Sequence, residues 1–247
     1  MKNGNDKKKN DALQRITRDR VRTNILRRPE QAALAWLVQR VPKKVTSDGL
    51  TYIGLFGNFV VAASFVLAAY LHINYLLVSI PGFIINWLGD SLDGRLAYYR
   101  NKPRKWYGFI LDVTVDWIGI IAIGAGFMIY VGSPFHILGF LFVVLYGWEM
   151  ITALLRYKII DKYSIDSGIM GPTEVRVVIA LILVAEVIVP TSIIYSIGFI
   201  ILLLLVSNIT ETRKLMRFAD LRDVDENVRK EIIKRIERMQ AAYETQN

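Results

Sequence analysis

Long apolar tracts alternate with short basic clusters along this 247-residue chain. No Lys or Arg lies between Lys44 and Arg95, between Lys105 and Arg156, or between Arg176 and Arg213. Each tract can hold two helices of the roughly 20 residues that a bilayer crossing needs, joined by a short hairpin. The pattern predicts six transmembrane helices, near 48–71, 75–98, 107–131, 134–157, 173–189 and 191–212. The hairpins His72-Ile73-Asn74, Gly132-Ser133 and Pro190-Thr191 carry no Lys or Arg. All basic loops then share one side with both termini, and the positive-inside rule makes that side cytoplasmic. An all-α integral membrane protein of the cell's inner (cytoplasmic) membrane is expected.

The flanks read differently. Residues 1–45 are polar and basic, without a signal-type apolar core. Within them, Pro29 suits a first helical turn. Ala32, Ala33, Ala35, Trp36, Leu37 and Val41 supply an apolar face, and Glu30, Gln31, Gln39 and Arg40 a polar one. This segment predicts an amphipathic helix lying on the cytoplasmic leaflet. Residues 46–215 form the expected catalytic unit. In the tail, 216–247, Ile232, Ile233, Ile236 and Met239 recur at helical spacing and predict a cytoplasmic amphipathic helix.

Composition narrows the chemistry. The chain is 53% hydrophobic with a formal net charge of +9. Topology and anionic lipid account for that charge, and there is no nucleic-acid-binding module. With no cysteine, thiolate nucleophiles and Cys-based zinc sites are excluded. His72 and His136 sit at the predicted outer hairpins, about a membrane thickness from any cytoplasmic site. Chemistry must therefore rest on carboxylates, cations and hydroxyls.

One dense carboxylate cluster meets that need. Asp90 and Asp93 are three residues apart near the cytoplasmic end of the second predicted helix, and Asp112 and Asp116 are four apart near the start of the third. Each pair shares a helix face. The short basic loop with Arg100, Lys102, Arg104 and Lys105 makes the two helices antiparallel neighbours, so four carboxylates converge. Such a group near hydrocarbon needs positive charge among it. Hard oxygen donors suit Mg2+ or Mn2+, and two ions are the expected cofactors. Gly94 and Gly108 would let a ligand approach the backbone.

The run Asp90-x-x-Asp93-Gly94-x-x-Ala97, then Gly108-x-x-x-Asp112-x-x-x-Asp116, resembles the signature of the CDP-alcohol phosphotransferase family. That signature reads Asp-x2-Asp-Gly-x2-Ala-Arg-x8-Gly-x3-Asp-x3-Asp. The family has six spans with the signature on the second and third, so the resemblance extends over about 46–212. Thr46-Ser47-Asp48-Gly49-Leu50-Thr51 also resembles the family's Thr-Pro-Asn-x-Leu-Thr opening. Two departures stand out: Tyr98 replaces the family Arg, and Gly108 comes one residue late.

The resemblance implies that a CDP-linked alcohol is attacked by an acceptor alcohol, with release of CMP, in phospholipid synthesis. It implies metal ligation by Asp90, Asp93 and Asp112, with Asp116 sharing the site and serving as base. It places nucleotide contacts around Gly94, Ala97 and Gly108, with Arg95 or Arg100 supplying the missing positive charge. Arg156, Lys158, Lys162 and Arg176 are candidates for an anionic acceptor. CDP-diacylglycerol with a polar polyol, phosphorylated or not, is the leading substrate pair. A CDP-ethanolamine or CDP-choline phosphotransferase and a catalytically silent relative are the alternatives. Ala122 and Gly126 form a small-xxx-small pair expected to pack helices, with a homodimer as one use.

Overall fold

The computed structural model describes residues 27–160 and 172–244. Among them every element is helical. They are α1 (Arg27–Val38), α2 (Ser47–Tyr70), a 3-10 helix (Ile73–Val78), α3 (Ser79–Tyr99), α4 (Lys105–Val131), α5 (His136–Ile160), α6 (Pro172–Ile188) and α7 (Ser192–Glu244).

Among the described residues, five helical stretches are long and apolar enough to cross a membrane: α2, the 3-10 helix continued by α3, α4, α5 and the first part of α7. Their outward residues are apolar, Phe56, Phe59, Ile84, Phe199 and Leu202 among them. That is the inverse of a soluble surface and suits a hydrocarbon solvent. The described part of α6 has 17 residues, short of the usual crossing length.

α2 is the central helix, packed against both α3 and α4; α5 packs on α4 and α7, and α6 on α7, α3 and the 3-10 helix. The α2–α3 seam is unusually close. A Cβ on Gly89 would lie 2.3 Å from the Gly54 nitrogen, and one on Gly57 would lie 2.4 Å from the Asn86 nitrogen. Side chains there would push the backbones apart, so glycine is what sets the two helices in contact. Gly126 behaves likewise, since its Cβ would meet the Ala62 carbonyl at 2.6 Å. The small-xxx-small face thus packs α4 on α2 within one chain and carries no argument for a dimer.

Two elements differ from the sequence expectation in detail. The hairpin after α2 runs into the 3-10 helix Ile73–Val78, with His72 Nδ1 accepting from the Asn74 nitrogen at 3.2 Å. The sixth apolar tract and the tail, read as separate helices, form one 53-residue helix. Arg222 on that extension donates to the carbonyls of Lys158 and Ile159, at 3.0 and 2.6 Å, and satisfies the end of α5.

α1 is a helix over Arg27–Val38, overlapping the segment read as amphipathic, and Glu30, placed on the polar face of that segment, is buried. Glu30, Leu34 and Val38 recur every four residues and all are buried. Leu34 and Val38 pack with Leu50 of α2 and with Leu92 and Leu96 of α3, while Trp36 faces outward under Arg40, at 3.6 Å from its ring centre. α2 then starts on the Thr46 cap, whose hydroxyl accepts from the Gly49 nitrogen at 3.0 Å.

Candidate functional site

Three of the four aspartates, Asp90, Asp112 and Asp116, come together between α3 and α4. α3 presents Asp90 and Asp93 near its C-terminal end, and α4 presents Asp112 and Asp116 two to three turns into its length. One carboxylate oxygen from each of Asp90, Asp112 and Asp116 lies within 4.8 Å of the others. All three residues are partly buried. Charges packed this closely with little water around them repel strongly. A divalent cation relieves that repulsion, and an all-oxygen donor set fits Mg2+ or Mn2+ rather than a soft metal.

Asp93 sits one turn beyond Asp90 and is held separately. The Thr51 hydroxyl of α2 donates to its Oδ2 at 2.7 Å, and its other oxygen accepts from the Gly94 nitrogen. The Ser47 hydroxyl also donates to the Asp93 carbonyl, at 2.8 Å. The start of α2 is therefore built onto the carboxylate cluster. Within the Thr46–Thr51 motif, the Ser47 and Thr51 hydroxyls both bond to Asp93, and the Thr46 hydroxyl caps α2.

Asn86 is a residue the sequence reading passed over. It is 5% exposed, lies one turn before Asp90, and its side-chain nitrogen donates to the Gly54 carbonyl at 3.1 Å. Its oxygen accepts from Arg176 Nε at 2.8 Å, and Arg176 Nη2 donates to Asp90 Oδ2 at 2.5 Å. The one signal for Asn86 was an amide in the apolar run Ile84-Ile85-Asn86-Trp87, in phase with Asp90 and Asp93.

The cations grouped by sequence have distinct partners. Arg176 joins the carboxylate cluster. Arg156 pairs with Glu211 of α7, which also accepts from Lys214 at 2.8 Å. Lys158 is exposed at the end of α5. Lys162 lies outside the described residues. Arg100 donates to the carbonyls of Val41, Pro42 and Val45, clamping the α1–α2 linker to the end of α3. Arg95 donates to the Ser91 carbonyl one turn back. Arg104 pairs with Asp48, the residue that stands where the family motif has Asn.

Around the signature loop, Gly94 and Gly108 both face open space, with nothing within 4 Å of where a Cβ would lie. Ala97 is partly buried and Tyr98, in the place of the family Arg, is 40% exposed. Elsewhere in the spans, Glu149 has a buried carboxylate oxygen with no hydrogen-bond partner among the described residues. Glu186, near the far ends of the helices, is buried and accepts from Tyr130, Thr191, Ser192 and Ile193.

No curated protein matches this chain as a recognisable relative. A family model does match, over residues 45–210, which takes in α2 through most of the apolar part of α7 and all four aspartates. Signature, helical architecture and the model match agree, and the chain belongs to the CDP-alcohol phosphatidyltransferase family.

Proposed function

We propose that this protein transfers a phosphatidyl group from CDP-diacylglycerol to the hydroxyl of a polar, phosphorylated polyol, releasing CMP. Family membership supports a membrane transferase of phospholipid synthesis acting on a CDP-alcohol. The observation that carries the metal-assisted transfer, for either class of CDP-linked donor, is the convergence of Asp90, Asp112 and Asp116 oxygens within 4.8 Å of one another.

Asp90, Asp93, Asp112 and Asp116 would hold two divalent ions, Mg2+ or Mn2+, which neutralise the pyrophosphate and polarise the phosphorus under attack. Asp116 orients the acceptor hydroxyl and receives its proton as the new oxygen–phosphorus bond forms and the bond to CMP breaks. Thr51 and the Gly94 nitrogen fix Asp93. Gly94 and Gly108, open to close approach, flank the nucleotide together with Ala97. Arg95, which donates to the Ser91 carbonyl, and Arg100, which donates to three main-chain carbonyls, are the two cations that would stand in for the family Arg. Arg156 and Lys158, at the end of α5, offer positive charge to an acceptor phosphate. The same reading includes α6 as a sixth crossing, α1 lying in the cytoplasmic interface, and both termini on the cytoplasmic side.

The test is CMP release by purified protein in lipid nanodiscs. CDP-diacylglycerol is paired with glycerol phosphate or inositol phosphate, and CDP-ethanolamine with diacylglycerol. CMP from the first donor only, lost in excess chelator and in Asp93→Asn, is the expected result. CMP from CDP-ethanolamine alone moves the protein to the aminoalcohol reaction, and no release from either donor makes it a silent relative.

A further inference from the structure

We infer that Arg176, anchored by Asn86, is a positioning residue for Asp90 and thereby for metal binding, a role that rests on the metal-site reading above. Three hydrogen bonds run in series across three helices. The Asn86 amide nitrogen donates to the Gly54 carbonyl of α2 at 3.1 Å, Arg176 Nε of α6 donates to Asn86 Oδ1 at 2.8 Å, and Arg176 Nη2 donates to Asp90 Oδ2 at 2.5 Å. Asn86 and Asp90 are one helical turn apart on α3, so a single planar guanidinium spans both. Lysine, with a point charge on a flexible stem, has no such fork.

The anchor is rigid. Asn86 is buried, and the α3 backbone at that point is in contact with α2, where a Cβ on Gly57 would lie 2.4 Å from the Asn86 nitrogen. An arginine that only obeyed the topology rule would send its head to the aqueous surface. Arg176 instead turns inward, with its side chain 18% exposed, and fixes the plane of a carboxylate that shares a 4.8 Å centre with Asp112 and Asp116. The arrangement matches the way outer partners orient metal-binding side chains, whose loss typically weakens metal binding by about 10- to 100-fold. It also ties the position of α6 to the cluster, through a residue in its first two turns.

The experiment measures Mn2+ affinity, by calorimetry or by loss of the free-ion spin-resonance signal, on purified protein without substrate. Arg176→Gln and Asn86→Ala should each weaken Mn2+ binding by about tenfold or more. The double variant should be no weaker than the worse single one, because both break the same series of bonds. Arg176→Lys should fall in between. With Mn2+ saturating, the acceptor KM of Asn86→Ala should stay near the wild-type value. Mn2+ affinity unchanged or raised in Arg176→Gln overturns the inference, whatever happens to the acceptor KM. If that variant and Asn86→Ala do not fold, Arg176→Lys decides by the same measurement, and unchanged affinity there is also decisive against it. A wild-type protein that binds no Mn2+ defeats the metal-site reading itself, an outcome distinct from variants that bind as well as wild type.

Discussion

Thr51 on α2 donates its hydroxyl to Asp93 Oδ2 on α3 across 2.7 Å, so the helix before the signature helps to aim the signature's second aspartate. Thr51 is buried, and this bond is its link to the cluster. Thr51→Val keeps the volume and removes the donor. Turnover at subsaturating Mn2+ should fall by about tenfold, the usual scale for losing an outer partner of a metal-binding carboxylate. Thr51→Ser should restore most of it. A Val variant with wild-type rates across a full Mn2+ titration would show that the hydroxyl is idle.

The close α2–α3 seam predicts an asymmetry between two glycines of α3. A Cβ at Gly89 would lie 2.3 Å from the Gly54 nitrogen and 2.5 Å from the Leu50 carbonyl, backbone atoms that cannot swing aside. Gly89→Ala should cost about 1–3 kcal/mol by overpacking, and should lower activity because Asp90 is the next residue. At Gly94 an added methyl meets open space, so Gly94→Ala should unfold near the wild-type midpoint. Thermal unfolding of both variants in one detergent compares them directly, and equal midpoints would refute the packing argument.

The legible part of the fold is the part that hydrocarbon dictates. Apolar tracts free of Lys and Arg become long helices because buried backbone must bond within itself. Asp pairs at spacings of three and four residues share a face for geometric reasons, and the structure brings Asp90, Asp112 and Asp116 together. Tertiary partners were not legible. Asn86 is one amide in an apolar run, and its bond to Arg176 spans 90 residues of chain. Arg100 looked available for a nucleotide because no periodicity reports that carbonyls 55 to 59 residues away would claim it. The union of the last apolar tract with the tail was hidden for another reason. Polar residues extend a helix as readily as apolar ones, so a change of composition at 213 marks where lipid ends, not where the helix does.

The orientation proposed above predicts one-sided labelling. The chain has no native cysteine, so single replacements are clean reporters. Lys102→Cys in the α3–α4 loop should react with an impermeant maleimide only in inside-out vesicles. Ser133→Cys in the α4–α5 hairpin should react only in right-side-out ones. The reverse pattern would place the carboxylate cluster on the outer side of the membrane and invert the topology.

A final prediction concerns the far end of the bundle. Glu186 is 3% exposed and its carboxylate takes four donors: Tyr130 Oη at 2.8 Å, the Thr191 nitrogen at 3.0 Å, the Ser192 hydroxyl at 3.2 Å and the Ile193 nitrogen at 2.8 Å. The backbone donors belong to the start of α7, where N–H groups have no partner within the helix. A carboxylate there also complements the positive end of the helix dipole. Glu186 therefore joins α4, α6 and α7 on the side away from the aspartates. Glu186→Ala leaves those buried donors unsatisfied and should cost about 1.5–3 kcal/mol or more. Glu186→Gln keeps the volume and one acceptor oxygen and should cost less, and Tyr130→Phe, which removes one donor, less again at about 0.5–1.5 kcal/mol. Substrate KM values should hold in all three, because Glu186 lies ten residues beyond Arg176 on α6, about 15 Å along the helix axis. Denaturant titration in mixed micelles gives the order of stabilities. If Glu186→Ala is as stable as wild type, the cap is not what holds the outer ends together, and hydrophobic contacts such as Leu183 and Ile193 with Phe127 must do so alone.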